Sequence, residues 1–560
     1  MTRGAKRIWL FLAVLFVGVL IVSSMTGRLP KNSVLMVELN GPIEEQKPQG
    51  IFAQLFGSKV TVLHDVTDAI DTAKNDDKIV GLVVKITTPD MGWAKIQEVR
   101  AHILAFRKSN KPSVCYLHSD LVMNRQYYLA TACDQVWVVP TAPLAITGLM
   151  TQSLFLRGAL DKLHIYPDMY GIQEYKTARN QYTEKKYTPA HKEMAESLMR
   201  STFENYVKDV AEARKLDKPW FEKCLQEGPF IGKDALERKL VDKVAHWDEV
   251  QQFFRDKNKA WRPVELGRYI KEASPTIGME KIAVVHATGI IVVGQSDFDT
   301  DGSIMGSESV SADLRRARED ASIKAIILRV DSPGGSAVAS EIIRREVLLA
   351  QKQKPVVVSM SDVAASGGYW IAMSANKIIA DQGTITGSIG VVFGKFNISG
   401  LYNLLGLSTD QLTTSDNATF LSEQQSFTPA QREIVDKFMR EIYNNFTKGV
   451  AEGRKMKVDD VDKIARGRVW TGAQGKGIGL VDEIGGFDRA LKVAIELAKL
   501  DPSQPVKIVR FPEEKTLFET ILEREESQTI KASLVAERFR KWLHEPPSVQ
   551  VRLPMEISIR

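Results

Sequence analysis

Hydrophobic positions fall into three patterns along the chain. The first is near the N-terminus, where Arg3, Lys6 and Arg7 precede an unbroken apolar run from Ile8 to Val22, and no charged residue follows before Arg28. At about 1.5 Å per residue, the uncharged stretch over 8–27 makes a helix of roughly 30 Å, enough to cross a bilayer's hydrocarbon core. A cleaved signal peptide is the competing reading of the same run, and the length favours an uncleaved anchor. With the basic cluster ahead of the span, the positive-inside tendency keeps the N-terminus in the cytoplasm and exports the rest. The second pattern is a set of short β-branched runs, at Ile79–Ile86, Gln135–Val139, Ala325–Val330 and Pro355–Ser359. The third is long helical stretches, such as Pro189–Leu216 and Pro429–Met456. Strand runs alternating with helices predict an α/β fold in which crossover helices join parallel strands.

The same patterns occur twice. Val34-Leu-Met-Val-Glu-Leu-Asn-Gly41 matches Ile282-Ala-Val-Val-His-Ala-Thr-Gly289, and Ile79–Pro89 matches Ile323–Pro333. Tyr187-Thr-Pro-Ala190 returns as Phe427-Thr-Pro-Ala430, and Leu240-Val-Asp242 as Leu480-Val-Asp482. A nearly constant offset is the mark of one architecture used twice. The expected organisation is an anchor over 1–29, a first repeat over 30–275, a second over 276–500 and a charged tail over 501–560. Helical segments are expected in that tail at Thr516–Glu526 and Ile530–His544.

Composition narrows the function classes. The 560 residues are 44% hydrophobic and 26% charged, which excludes a disordered chain and a multi-span transporter. Lys and Arg exceed Asp and Glu by only six, with no long basic run, so nucleic acid is not an expected partner. Cys115, Cys133 and Cys224 form no CxxC and permit at most one disulfide; the expectation is three buried thiols and no structural metal.

Where the copies differ, chemistry is indicated. In the second repeat, strands run into Asp331-Ser-Pro-Gly-Gly-Ser336 and Asp362-Val-Ala-Ala-Ser-Gly-Gly-Tyr-Trp370; the first repeat reads Thr87-Thr-Pro-Asp-Met91 and Met123-Asn-Arg-Gln-Tyr-Tyr128 instead. A packing requirement of the fold would have kept the glycines in both copies. A serine on a strand-to-helix turn is exposed beside free backbone N–H groups, which makes Ser366 the best nucleophile candidate. No histidine lies between Tyr369 and Gly394, which weakens a Ser-His-Asp triad and leaves a neutral lysine as the other base for serine. Lys377 and Lys395 are close in sequence, at strand or loop edges where solvated lysines are ordinary.

On these motifs, together with Thr386-Gly-Ser-Ile-Gly390, the chain resembles the signal peptide peptidase A family in its long tandem-repeat form, the membrane-anchored Ser/Lys peptidases also called protease IV. The resemblance implies two domains of the crotonase and Clp-protease fold behind a single transmembrane helix. It implies that Ser366 is the nucleophile, that Lys176 of Tyr175-Lys-Thr-Ala178 is the general base, and that Ser388 orients the lysine. Asp416 stands where a second lysine would be. Gly367 and either Gly334 or Gly335 supply the oxyanion donors, and no cofactor or metal is implied. Substrates are cleaved signal peptides and other short apolar peptides. The expected assembly is a homotetramer at a bacterial inner membrane, tethered through residues 8–27, with the catalytic body in the periplasm. A crotonase-like acyl-thioester enzyme and a non-catalytic membrane scaffold are the alternatives.

Overall fold

The computed structural model describes residues 29–47, 60–258, 261–273, 278–299, 302–513 and 550–552. The anchor expected over 8–27 and the tail helices expected over 516–526 and 530–544 lie outside the described residues. Among those described, no helix is long and apolar enough to cross a membrane.

Each repeat is built on a parallel sheet whose strands are buried on both faces, as βαβ crossovers require. In the first, the order is Pro263–Glu265, Ser33–Glu44, Ile79–Asp90, Ser113–Leu117, Gln135–Val138 and Lys243–Val244. The second repeats it with Lys507–Phe511, Lys281–Thr288, Ile323–Ser332, Val356–Ala365, Lys377–Ala380 and Glu483–Ile484. The registers also correspond: Val34 faces Gly81 in one sheet, and Ile282 faces Ala325 in the other. Both long helices are 26 residues, Pro189–Arg214 and Pro429–Arg454. Thr188 and Thr428 cap them by accepting the N–H of His191 and Gln431, with proline at the first position where its missing donor costs nothing. Both stop short of their apolar stretches because Lys215 and Lys455 turn left-handed, at φ 53° and 55°.

Two features depart from the expected pattern. The second repeat does not end at 500, since Lys507–Phe511 pairs in parallel with Lys281–Val285, the counterpart of the Pro263–Glu265 edge in the first repeat. The Val356–Ala365 strand runs beyond the expected Ser359 and forks. Its first half pairs with Lys377–Ala380, while Val363–Ala365 turns to pair with Ile385–Gly387.

The repeats are joined by a third sheet, in which Tyr166–Gly171 of the first lies antiparallel to Val392–Asn397 of the second, Met169 facing Gly394. In the same sheet Gln550–Arg552 runs antiparallel to Gly334–Ser336. Each repeat has its own large apolar core. A smaller cluster spans them, with Met194 and Leu198 of the first long helix packed on Ala365 and Val469. The expectation of three thiols is corrected at one pair: Cys115 and Cys133 form a disulfide with Cα atoms 5.6 Å apart, brought together by the Ser113–Leu117 strand and the turn after the Asn124–Ala130 helix. Cys224 remains a buried thiol.

Candidate active site

Ser366 sits between the Val356–Ala365 strand and the short Gly367–Ala372 helix, at φ 56° and ψ −117°. Positive φ is uncommon outside glycine and is held here by hydrogen bonds on both sides. The Ser366 N–H donates to the Gly387 carbonyl at 2.8 Å, and its own carbonyl accepts the Trp370 N–H at 2.8 Å. Gly387 comes from Ile385–Gly387, the branch taken by the forked strand, so the fork anchors the serine turn. At the matching place in the first repeat, Asn124 opens its helix and donates from Nδ2 to Gly148 O at 2.8 Å.

Lys176 arrives from the first repeat, a few residues after the Tyr166–Gly171 strand. Its Nζ lies 2.7 Å from Ser366 Oγ, 3.0 Å from Ser388 Oγ and 3.0 Å from the Ser388 carbonyl oxygen. All three residues are buried, Lys176 only 1% exposed, so the exposure expected of the serine turn is corrected: the first repeat's lysine segment covers Ser366. Burial pushes the Lys176 amine well below the ordinary lysine value, and no carboxylate among the described residues restores its charge. Space for the lysine segment is made by glycines. A Cβ on Gly467 (φ +81°) would fall 2.4 Å from Lys176 N, and one on Gly390 would fall 3.1 Å from Lys176 Cδ. Gly390 belongs to the Thr-Gly-Ser-Ile-Gly motif, whereas nothing in the sequence around Gly467 marks it.

The two glycine motifs abut. A Cβ on Gly367 would lie 3.1 Å from both Gly334 Cα and Gly335 N, and one on Gly368 would strike the Ser332 carbonyl at 2.5 Å. The Gly334 N–H is already committed, donating to Ser332 Oγ at 3.1 Å, while that hydroxyl donates to Gly289 O at 2.6 Å.

The other lysines and Asp416 stand apart from this cluster. Lys377 pairs with Asp482 at 3.6 Å. Lys395 is buried rather than solvated, its Nζ donating to the Phe420 carbonyl at 3.0 Å, because Phe420 and Phe427 close over it. Asp416 is exposed. Among the described residues, one metal-type grouping occurs, Asp71, His102 and Asp488. The His102 Nδ1 lies 3.1 Å from Asp71 and its Nε2 3.7 Å from Asp488. Each ring nitrogen faces a different carboxylate, the arrangement of an imidazolium held between two anions. Burial opposes that charge, but the two carboxylates outweigh it and raise the imidazole to about 9.

A buried lysine amine against a serine hydroxyl on a Gly-rich turn can do hydrolytic chemistry, and comparison with known proteins specifies which. The model for peptidase family S49 matches residues 105–260 and 349–501, more than half of the chain and a segment of each repeat. The chain belongs to peptidase family S49. The S49 chain is 33% identical over 505 residues to "Serine protease SPPA, chloroplastic" of Arabidopsis thaliana, covering 88% of this chain and 73% of the relative. It is 32% identical over 590 residues to "Protease 4" of Haemophilus influenzae, covering 98% of this chain and 93% of the relative. Among solved structures it matches a point mutant of ClpP1 from Listeria monocytogenes at TM-score 0.25 and 16% identity, over 37% of this chain and 94% of that one. It also matches a point mutant of the membrane-bound stomatin-specific protease 1510-N at TM-score 0.27 and 15% identity, over 42% and 100%. The S49 chain is a serine endopeptidase, and the acyl-thioester and scaffold alternatives give way to that assignment.

Proposed function

We propose that the chain degrades cleaved signal peptides and other short apolar peptides at a membrane surface, with Ser366 as nucleophile and Lys176 as general base. The observation that carries this is the 2.7 Å approach of Lys176 Nζ to Ser366 Oγ, with no compensating acid among the described residues. A neutral amine has two N–H bonds and one lone pair. The Ser388 carbonyl can only accept, and Ser388 Oγ takes the second N–H, so the lone pair is left for the Ser366 hydroxyl. On attack, Ser366 Oγ bonds to the scissile carbonyl carbon as its proton passes to Lys176. The tetrahedral oxyanion is held by the N–H groups of Gly367 and of the Gly334–Gly335 pair. As the C–N bond breaks, Lys176 returns the proton to the leaving amine, leaving an acyl ester on Ser366. Water then attacks the ester, gives its proton to Lys176, and the carboxyl product leaves as the proton returns to Ser366. The antiparallel pairing of Gln550–Arg552 with Gly334–Ser336 supports an extended pose for the peptide on that edge.

The substrate class rests on the S49 relatives, one of them called "Putative signal peptide peptidase SppA" of Enterococcus faecium. The same proposal includes a crotonase and Clp-protease type of fold for each repeat, a homotetramer, and an anchor over 8–27 that leaves the N-terminus cytoplasmic and the body periplasmic at a bacterial inner membrane. The Cys115–Cys133 disulfide supports an oxidising compartment. The full chain, solubilised in detergent and given a fluorogenic apolar peptide, tests the reading. Ser366→Ala and Lys176→Ala should each lower kcat/KM by roughly 10³-fold or more. Activity near wild type in either variant contradicts it.

A further inference from the structure

Lys176 is not the only lysine that the first repeat sends into the second. Lys95, in the first turn of the Trp93–Arg107 helix, is 7% exposed and reaches across the seam. Its Nζ lies 2.9 Å from the Asp331 carboxylate and 3.9 Å from that of Asp362, and donates to the Ile43 carbonyl at 3.4 Å. Those aspartates open the two motifs of the active site. Asp331 stands four residues before Gly335, and Asp362 four before Ser366.

Each aspartate also holds backbone. The Asp331 carboxylate accepts the Val363 N–H at 3.0 Å, tying the oxyanion segment to the nucleophile strand. Asp362 accepts the N–H groups of Gly92 at 2.9 Å and Lys95 at 3.0 Å, so it caps the helix that carries Lys95. A Cβ on Gly92 would lie 2.3 Å from Asp362 Cγ, so this contact requires glycine there. Burial opposes the charge of Lys95, but the carboxylates of Asp331, Asp362 and Glu45 outweigh it and hold the ammonium protonated. By the register of the repeats, Asp331 matches Thr87 and Lys95 matches Ala339. The ion triad therefore exists only on the side of the molecule that carries the serine.

We infer that Lys95 is a positioning residue for peptide hydrolysis: by binding Asp331 and Asp362 together, it fixes the Gly335 segment and the Ser366 turn in one geometry and locks that geometry to the repeat supplying Lys176. This rests on the Ser366/Lys176 mechanism. Without the ammonium, two buried carboxylates face each other and the two segments separate. The Ser366 hydroxyl then leaves the line between Lys176 and the oxyanion donors, although every group that touches substrate is still present. A displacement of this kind costs on the order of 10- to 100-fold in rate.

The test uses the full chain in detergent, with Lys95→Met and the charge-balanced double variant Lys95→Met/Asp331→Asn. Four quantities are read: the rate at which a serine-directed phosphonate labels the protein, kcat and KM for an apolar peptide, and the thermal midpoint. In Lys95→Met, labelling and kcat should fall together by roughly 10- to 100-fold, with KM within about twofold. The double variant, which buries one charge fewer, should regain thermal stability but not the labelling rate. It is read in the same way should Lys95→Met be too unstable to purify. Wild-type labelling in either variant overturns the inference, as does recovery of labelling in step with stability, which would make the triad a fold contact only. Ser366→Ala and Lys176→Ala run alongside: activity surviving in them overturns the mechanism itself, whereas their loss with an active Lys95→Met overturns only the role of Lys95.

Discussion

At the scale of single residues, the two buried lysines show how surroundings set chemistry. Lys95 and Lys176 come from the same repeat and are both almost fully buried, yet carboxylates surround one and only serine oxygens the other. The carboxylates favour the charge of the first and burial disfavours that of the second, and only a neutral amine can take a proton from serine. The placement of Lys176 depends on atoms that are missing from Gly467. Gly467→Ala would put a methyl group 2.4 Å from the Lys176 backbone nitrogen and strain a φ of +81°. It should lower kcat/KM by roughly 10²-fold while the far-ultraviolet circular dichroism stays unchanged; near-wild-type activity would mean that the lysine segment does not need that contact. Ser366 was legible from its Gly-rich turn, and Lys176 and Ser388 only through the resemblance of their segments to family motifs. Gly467, Lys95 and the carboxylate role of Asp331 were not, because their meaning appears only across the seam, between residues hundreds of positions apart.

At the scale of elements, α/β alternation and the internal repeat could be read from apolar periodicity, since parallel strands and their crossover helices are local patterns. The fork in Val356–Ala365 could not, because the same apolar run serves an ordinary strand and one that changes partners midway. Nor could the pairing of Tyr166–Gly171 with Val392–Asn397, two short strands from different repeats whose match is set by tertiary packing. That pairing delivers Lys176 to Ser366. Asp168 strengthens it by accepting the Phe427 N–H at 2.7 Å and the Tyr170 hydroxyl at 2.7 Å. Gly394 allows the strands to approach, and a Cβ there would lie 2.5 Å from both Asp168 O and Met169 Cα. Gly394→Ala should therefore separate the strands, shift Lys176 and reduce kcat by roughly tenfold or more, with the peptide assay as the check. An unchanged kcat would show that the lysine is held by its own loop alone.

At the scale of the whole molecule, ion pairs cross the interface between the repeats. Arg329 pairs with Glu45 at 2.8 Å and with Glu98 at 3.0 Å, Lys95 with Asp331, and Arg468 with Glu193. Beside the dyad the seam turns apolar, with Met194, Leu198, Ala365 and Val469 in contact and Tyr175 against them. Paired charges hold the halves in one register, and the apolar patch removes water and countercharge from Lys176. The two copies thus each carry half of the proposed site, and the fold brings the halves together. The most direct test of a neutral Lys176 is the pH dependence of phosphonate labelling of the full chain. The labelling rate should rise with pH through a midpoint well below the ordinary lysine value of about 10.4, and Lys176→Ala should abolish that rise. A midpoint at the ordinary lysine value, or the same profile in Lys176→Ala, would contradict the mechanism.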